Sequence, residues 1–183
     1  MNTSLKIAII GTGAMGSIYA ARLSNAGHSV CTIDVWADHV DAMNLVGLTI
    51  DGPGGRLQAA NIRAARELPP DEPFDLYVIA TKSFAVRKNA EAIAQTLTPD
   101  AMVLTIQNGL GAGDDVAAFI PKSQIILGVA EGFGASMIGP AHAAHTSMKQ
   151  IRLGLVQGME NCPILHVRGI CDWYAFGHQF FVR

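Results

Sequence analysis

From Lys6 to about Leu155, short uninterrupted apolar runs alternate with longer segments whose apolar residues recur at helical spacing, and Gly, Pro and Asp stand at the joins. Strands covered on both faces read as continuous hydrophobic runs, so this rhythm predicts an α/β domain on a mainly parallel sheet. The first run is Lys6 to Ile10; after it Met15, Ile18, Tyr19, Leu23 and Ala26 fall at i, i+3, i+4, i+8 and i+11, one face of a helix. Gly27 takes the place of a helix C-cap, and Ser29 to Asp34 reads as the second strand, closing a βαβ unit.

Trp36, Val40 and Met43 predict a second helix that stops at Gly47. Leu48 to Ile50 and Leu57 to Ala60, joined through Asp51-Gly52-Pro53-Gly54-Gly55, read as a hairpin inserted into the α/β rhythm. Beyond the Pro-rich turn Leu68 to Pro73, Leu76 to Ala80 is a buried-strand candidate, and Val86, Ala90, Ile93, Ala94 and Leu97 mark a helix face ended by Pro99. Met102 to Ile106 and Ile125 to Ala130 are further strand candidates, separated by a short helix around Asp114 to Phe119 and a break at Pro121. Residues 161–183 lack clean periodicity and gather Trp173, Tyr174, Phe176, Phe180, Phe181, Cys162 and Cys171, so the chain divides into a domain at 1–160 and an irregular aromatic-rich tail at 161–183.

Gly11-Thr12-Gly13-Ala14-Met15-Gly16 is a GxGxxG with an apolar strand running in and an amphipathic helix running out. That context turns a weak pattern into a dinucleotide-binding fingerprint of the doubly wound Rossmann type. Gly11 permits the tight turn, Gly13 leaves room for a pyrophosphate, and Gly16 lets helix and strand pack closely, while the free N–H groups of the helix start receive the phosphates. The same loop can serve FAD, or stand as a structural turn in a module that binds no cofactor.

Asp34 follows Gly16 by 18 residues at the end of the second strand. A carboxylate there accepts hydrogen bonds from a ribose 2′-OH and repels a 2′-phosphate, which favours NAD over NADP. Val35, Trp36, Ala37, Asp38 and His39 come next, so no Arg or Lys is expected nearby to neutralise a phosphate, and His39 helps only weakly, when protonated.

Gly11, Asp34, Lys82 and Asn108 each come just after a strand candidate, and in a parallel sheet those ends share one edge, where ligands of open α/β folds bind. Lys82 can supply a cation for a carboxylate substrate and Asn108 an amide for a carbonyl or hydroxyl oxygen. The alternatives are a surface lysine and a turn residue before Gly109. Glu131, after the strand ending at Ala130, reaches the same edge or simply meets water.

Composition narrows the classes. The 183 residues are 50% hydrophobic and 15% charged, with mean hydropathy +0.29, enough apolar content for a real core. Thirteen Lys and Arg against fifteen Asp and Glu leave no basic field for nucleic acid. No signal-peptide pattern and no membrane-spanning run is expected. Three cysteines without a CxxC pair suit a reducing cytoplasm, and Cys31 falls inside a strand candidate, as a core residue rather than a nucleophile. His142 and His145 would stand close if helical, but no partner has metal-ligand spacing, so no metal site is expected.

Together GTGAMG, Ala80-Thr81-Lys82-Ser83, Ile106-Gln107-Asn108-Gly109-Leu110-Gly111 and Leu127-Gly128-Val129-Ala130 resemble the N-terminal domain of ketopantoate reductases, the 2-dehydropantoate 2-reductases, over about residues 5–156. The resemblance implies hydride transfer from a reduced nicotinamide to the ketone of a 2-keto acid, in the pathway to pantothenate and coenzyme A. It implies NADPH as coenzyme, in tension with Asp34, and a cleft lined by Lys82 and Asn108, neither of them the general acid. In such enzymes a helical C-terminal domain supplies the general-acid lysine. No lysine follows Lys149 here, so cofactor binding with little turnover is expected. An apolar face left uncovered would make the chain self-associate as a homo-oligomer. The competing expectation is a non-catalytic nucleotide-binding or interaction module.

Overall fold

The computed structural model describes residues 4–107, 111–147 and 150–156. Strands β1 (Lys6–Ile10), β2 (Ser29–Ile33), β5 (Ile62–Ala65), β6 (Leu76–Ile79), β7 (Met102–Thr105), β8 (Ile125–Glu131) and β11 (Gln150–Leu155) form one sheet in the order β11-β8-β7-β6-β1-β2-β5. All neighbours run parallel except β11, which pairs antiparallel with β8. This is the Rossmann-like α/β sheet that the alternation predicts.

Both faces of the sheet are covered, which is why its central strands β1, β6 and β7 read as nearly continuous apolar runs. In β1, Ile7 and Ile9 join the core under helix α1 (Ala14–Asn25), whereas Ala8 and Ile10 join the core that takes in Val86, Ala90 and Ile93 of α3 (Val86–Ala94) and Val116 of α4 (Ala112–Ala117). Period-two alternation therefore shows in which core each residue joins and not in its polarity.

A second sheet lies beyond α1. Strands β3 (Leu48–Gly52) and β4 (Gly55–Ala59) form the expected hairpin, and β9 (Gly134–Gly139) and β10 (His142–Ser147) complete the order β4-β3-β10-β9. Helix α1 packs against β3, β4, β9 and β10 as well as against the main sheet. Accordingly Gly16 to Ala21 and Leu23 are all buried, and the single apolar face expected for this helix is a helix enclosed on two sides. Helix α2 (Ala37–Val46) contributes Val40 and Met43 to the same core. Trp36, expected on its buried face, instead sits at the N-cap, 41% exposed.

Candidate functional site

The glycine-rich bend after β1 owes its shape to close contacts. Gly11 has φ +88°, and a Cβ there would lie 2.8 Å from the Thr81 backbone nitrogen. Its N–H donates to the Ile33 carbonyl at 2.8 Å, tying the bend to the end of β2. Gly16 sits against the bend itself, since a Cβ there would lie 2.1 Å from the Gly11 oxygen. Gly13 differs: a Cβ built on it meets nothing within 4 Å, and the residue is exposed on the cleft wall.

Gly13 is the N-cap of α1 and offers no side-chain cap, so the N–H groups of Ala14, Met15 and Gly16 precede any intrahelical acceptor. Open space over Gly13, unpaired N–H groups and the positive end of a 12-residue helix make a cradle suited to an anionic diphosphate. Thr12 itself turns inward and is fully buried; its carbonyl accepts from Ser17 Oγ and His39 Nε2, each at 2.8 Å.

A cleft of about 730 Å³ runs along the carboxyl edge of the main sheet from this cradle. Gly11, Gly13, Asp34 and Lys82 line it together, as strand-end positions in a parallel sheet should. Asp34 is half-buried, and its Oδ1 accepts the Trp36 N–H at 3.0 Å, which fixes the carboxylate at the end of β2. Lys82, in extended conformation before a short 3₁₀ turn at Ser83–Ala85, is exposed and has no ion-pair partner among the described residues.

The cleft also gathers residues that the sequence reading missed. Arg66 and Glu67 follow β5, whose Ala65 carbonyl accepts the Asp34 N–H at 3.1 Å, and Lys88 and Asn89 come from α3. Arg66 thus arrives at the Asp34 end from a neighbouring strand, correcting the expectation that no Arg or Lys stands nearby. His39 does not serve there: it is fully buried, and its Nδ1 accepts the Ala141 N–H at 2.8 Å, leaving no proton on that atom. Val35 and Phe84, 91% and 88% exposed, add apolar surface to the cleft.

Gln107 braces the site from two residues beyond the end of β7. Its Nε2 donates to the carbonyls of Ile79 at 2.8 Å and Thr81 at 3.1 Å, and its Oε1 accepts from Thr105 Oγ1. Asn89 Nδ2 holds the other side of the same loop through the Ala85 carbonyl at 2.9 Å. Asn108, the remaining predicted site residue, and the tail at 161–183 lie outside the described residues.

Other candidates have ordinary surroundings. Cys31 is a buried free thiol in β2 whose pKa burial raises. Glu131 pairs with Arg152 at 3.6 Å rather than lining the cleft. His142 and His145 lie on strand β10, not a helix, and go separate ways: His142 Nε2 meets Asp51 Oδ2 at 2.8 Å, whereas His145 is buried between Arg22 and Phe133. Arg56, and then His142, hold the Asp51 carboxyl at about 2. Burial, reinforced by Arg22, keeps the His145 pKa below its ordinary value.

The family described as Ketopantoate reductase PanE/ApbA matches residues 7–158. The chain belongs to that family. It is 31% identical over 125 residues to the 2-dehydropantoate 2-reductase of Lactococcus lactis subsp. lactis (strain IL1403), covering 68% of this chain and 40% of the relative. To the 2-dehydropantoate 2-reductase of Pyrococcus abyssi (strain GE5 / Orsay) it is 36% identical over 121 residues, covering 65% of this chain and 38% of that protein. Among solved structures, D-mandelate dehydrogenase in ternary complex with NADH and anilino(oxo)acetate superposes with a TM-score of 0.82 at 26% identity, covering 96% of this chain and 56% of the other. The chain therefore spans less than half the length of these curated family members.

Proposed function

We propose that this chain is the coenzyme-capturing part of an NAD(P)H-dependent oxidoreductase of the 2-dehydropantoate 2-reductase type, acting on the ketone of a small 2-keto acid. The observation that carries the proposal is the open space over Gly13, set beside the uncapped start of α1 at the head of a cleft with Asp34 and Lys82 further along. Gly11 and Gly16 shape the bend, Gly13, Ala14 and Met15 present backbone N–H groups to the phosphates, and Thr12 anchors the bend from inside. Asp34 takes the ribose hydroxyls. When bound, the coenzyme supplies the hydride.

Lys82, on the loop after β6, faces the substrate half and attracts its carboxylate; Asn108 contributes an amide toward the ketone oxygen. The lysine that the resemblance assigns as proton donor belongs to a helical C-terminal part of such enzymes, and this chain spans about 40% of the length of a curated relative. Coenzyme binding with little hydride transfer by this chain alone is the reading that follows. A reducing cytoplasm, no nucleic-acid partner and self-association of the chain complete the proposal. No helix among the described residues is long and apolar enough to cross a membrane.

Nicotinamide fluorescence titration with NADH and with NADPH tests this reading. Saturable binding of either, lost in Gly13→Val, supports it, and binding of neither by the folded chain overturns it. Flavin absorbance in the purified protein would instead assign the cradle to FAD.

A further inference from the structure

We propose that His39 is a positioning residue for the dinucleotide, acting through the Thr12 carbonyl, and that it makes the second sheet part of the binding machinery. The inference rests on the coenzyme reading above and goes beyond it, since His39 does not line the cleft and belongs to α2, outside the glycine-rich bend.

The imidazole is fully buried and has a defined job at each nitrogen. Nδ1 accepts the backbone N–H of Ala141 at 2.8 Å, so the ring proton is on Nε2, which donates to the Thr12 carbonyl at 2.8 Å. Ala141 lies in the turn between β9 and β10 and has the left-handed φ of 54°, a conformation that a non-glycine residue keeps only when its surroundings hold it. The Trp36 ring stacks on the imidazole at 5.2 Å, which limits rotation of the ring.

The consequence lies in the peptide between Thr12 and Gly13. In a trans peptide the C=O and the following N–H point in opposite directions. Drawing the Thr12 oxygen inward to His39 and Ser17 therefore turns the Gly13 N–H outward, toward the cleft where a phosphate would come. Gly13 has no Cβ and pays little steric penalty for a rotated peptide, so this peptide is one that can flip. Ser17 Oγ alone is a single rotatable hydroxyl on the next turn. His39, clamped between the bend and the second sheet, is the contact that fixes the orientation.

Two substitutions separate the arms of the clamp. In His39→Asn the amide oxygen takes the place of Nδ1 and keeps the Ala141 contact but cannot reach Thr12; in His39→Gln the amide nitrogen reaches the position of Nε2 and the Ala141 contact is lost. Dissociation constants for NADH and NADPH, and thermal unfolding of the coenzyme-free protein, are measured for each. We expect His39→Asn to weaken coenzyme binding about ten-fold with little change in melting temperature, and His39→Gln to melt earlier while binding within about three-fold of wild type. Wild-type affinity in His39→Asn, or affinity losses in both variants that simply track their melting temperatures, would overturn the proposal. The Gly13 amide resonance in ¹H–¹⁵N spectra of the coenzyme-free protein keeps the two readings apart. Should wild type bind no coenzyme, the functional reading fails, and a Gly13 resonance unmoved in His39→Asn sinks the clamp separately.

Discussion

Gly16 rests so closely on Gly11 that a Cβ on the helix residue would stand 2.1 Å from the carbonyl oxygen of the bend. Alanine at this position gains about 1 kcal/mol of helix propensity but forces backbone apart inside a packed layer, at a cost of about 1–3 kcal/mol or more. We expect Gly16→Ala to lower the denaturant midpoint and Gly13→Ala to leave it nearly unchanged, because nothing lies within 4 Å of the Gly13 Cβ position. Coenzyme affinity should behave the other way for Gly13→Ala, falling about ten-fold as the methyl group enters the space proposed for the pyrophosphate. Urea titrations paired with NADH and NADPH binding check both.

Asp34 and Arg66 sit on adjacent strand ends of one cleft, so the preference between NADH and NADPH becomes a contest between a carboxylate fixed by the Trp36 N–H and an exposed guanidinium. Asp34→Ser removes the repulsion of a 2′-phosphate and should shift the ratio of affinities toward NADPH by about ten-fold. Arg66→Ala should weaken NADPH about five-fold and leave NADH almost unchanged, because only the extra phosphate meets the lost charge, in a solvent-screened position. An Arg66→Ala protein that loses both coenzymes equally would remove Arg66 from the contest.

These two residues also mark what the sequence can and cannot disclose. Asp34 was legible because it directly follows β2, the five-residue stretch SVCTI that closes the first βαβ unit, at the expected distance from GxGxxG. Arg66 was not, because β5 is four residues long, carries the exposed Arg63 in its middle and has little hydrophobic signal of its own. Strands β9 and β10 of the second sheet escaped the sequence pattern for a related reason: GASMIG and HAAHTS have weak strand propensity and are held by the pairing of β10 with β3 and by α1. The role of His39 depends on Ala141, 102 positions away, a contact that no local pattern encodes. What could be read was the local chemistry of each strand end; what could not was which end lies beside which.

Gln107 donates to the carbonyls of Ile79, the last residue of β6, and of Thr81, which lies against Gly11 just before Lys82, so its amide should matter to both fold and site. Gln107→Met, of similar shape, leaves the Ile79 and Thr81 oxygens without that donor and should cost about 1–2 kcal/mol. Gln107→Glu should cost more at neutral pH, because it sets a carboxylate against two carbonyl oxygens, and should recover on acidification as the added carboxyl group takes up a proton. Denaturation of the two variants at several pH values distinguishes them; equal, pH-independent losses would mean that the amide merely fills space.

Acid should weaken the fold in two separable stages. His145 is held below its ordinary pKa of 6.5 by burial and by Arg22, whose Nη2 approaches Nδ1 at 3.5 Å. The unfolded chain therefore takes up this proton at a higher pH than the folded one does. The stability it secures is whole above about 6.5 and drains away as pH falls toward the folded value. Asp51 acts later, since its carboxyl is lowered from 3.8 to about 2 by Arg56 and then His142, so its contribution is present above 3.8 and is lost toward 2. It lies at the surface, where solvent screens the pairing, so this second stage should be shallow. His145→Gln, uncharged at every pH, should flatten the first stage and leave the second, while Asp51→Asn should do the reverse. Chemical denaturation from pH 7.5 down to pH 3 reads both slopes, and a first stage that persists in His145→Gln would assign it to another group.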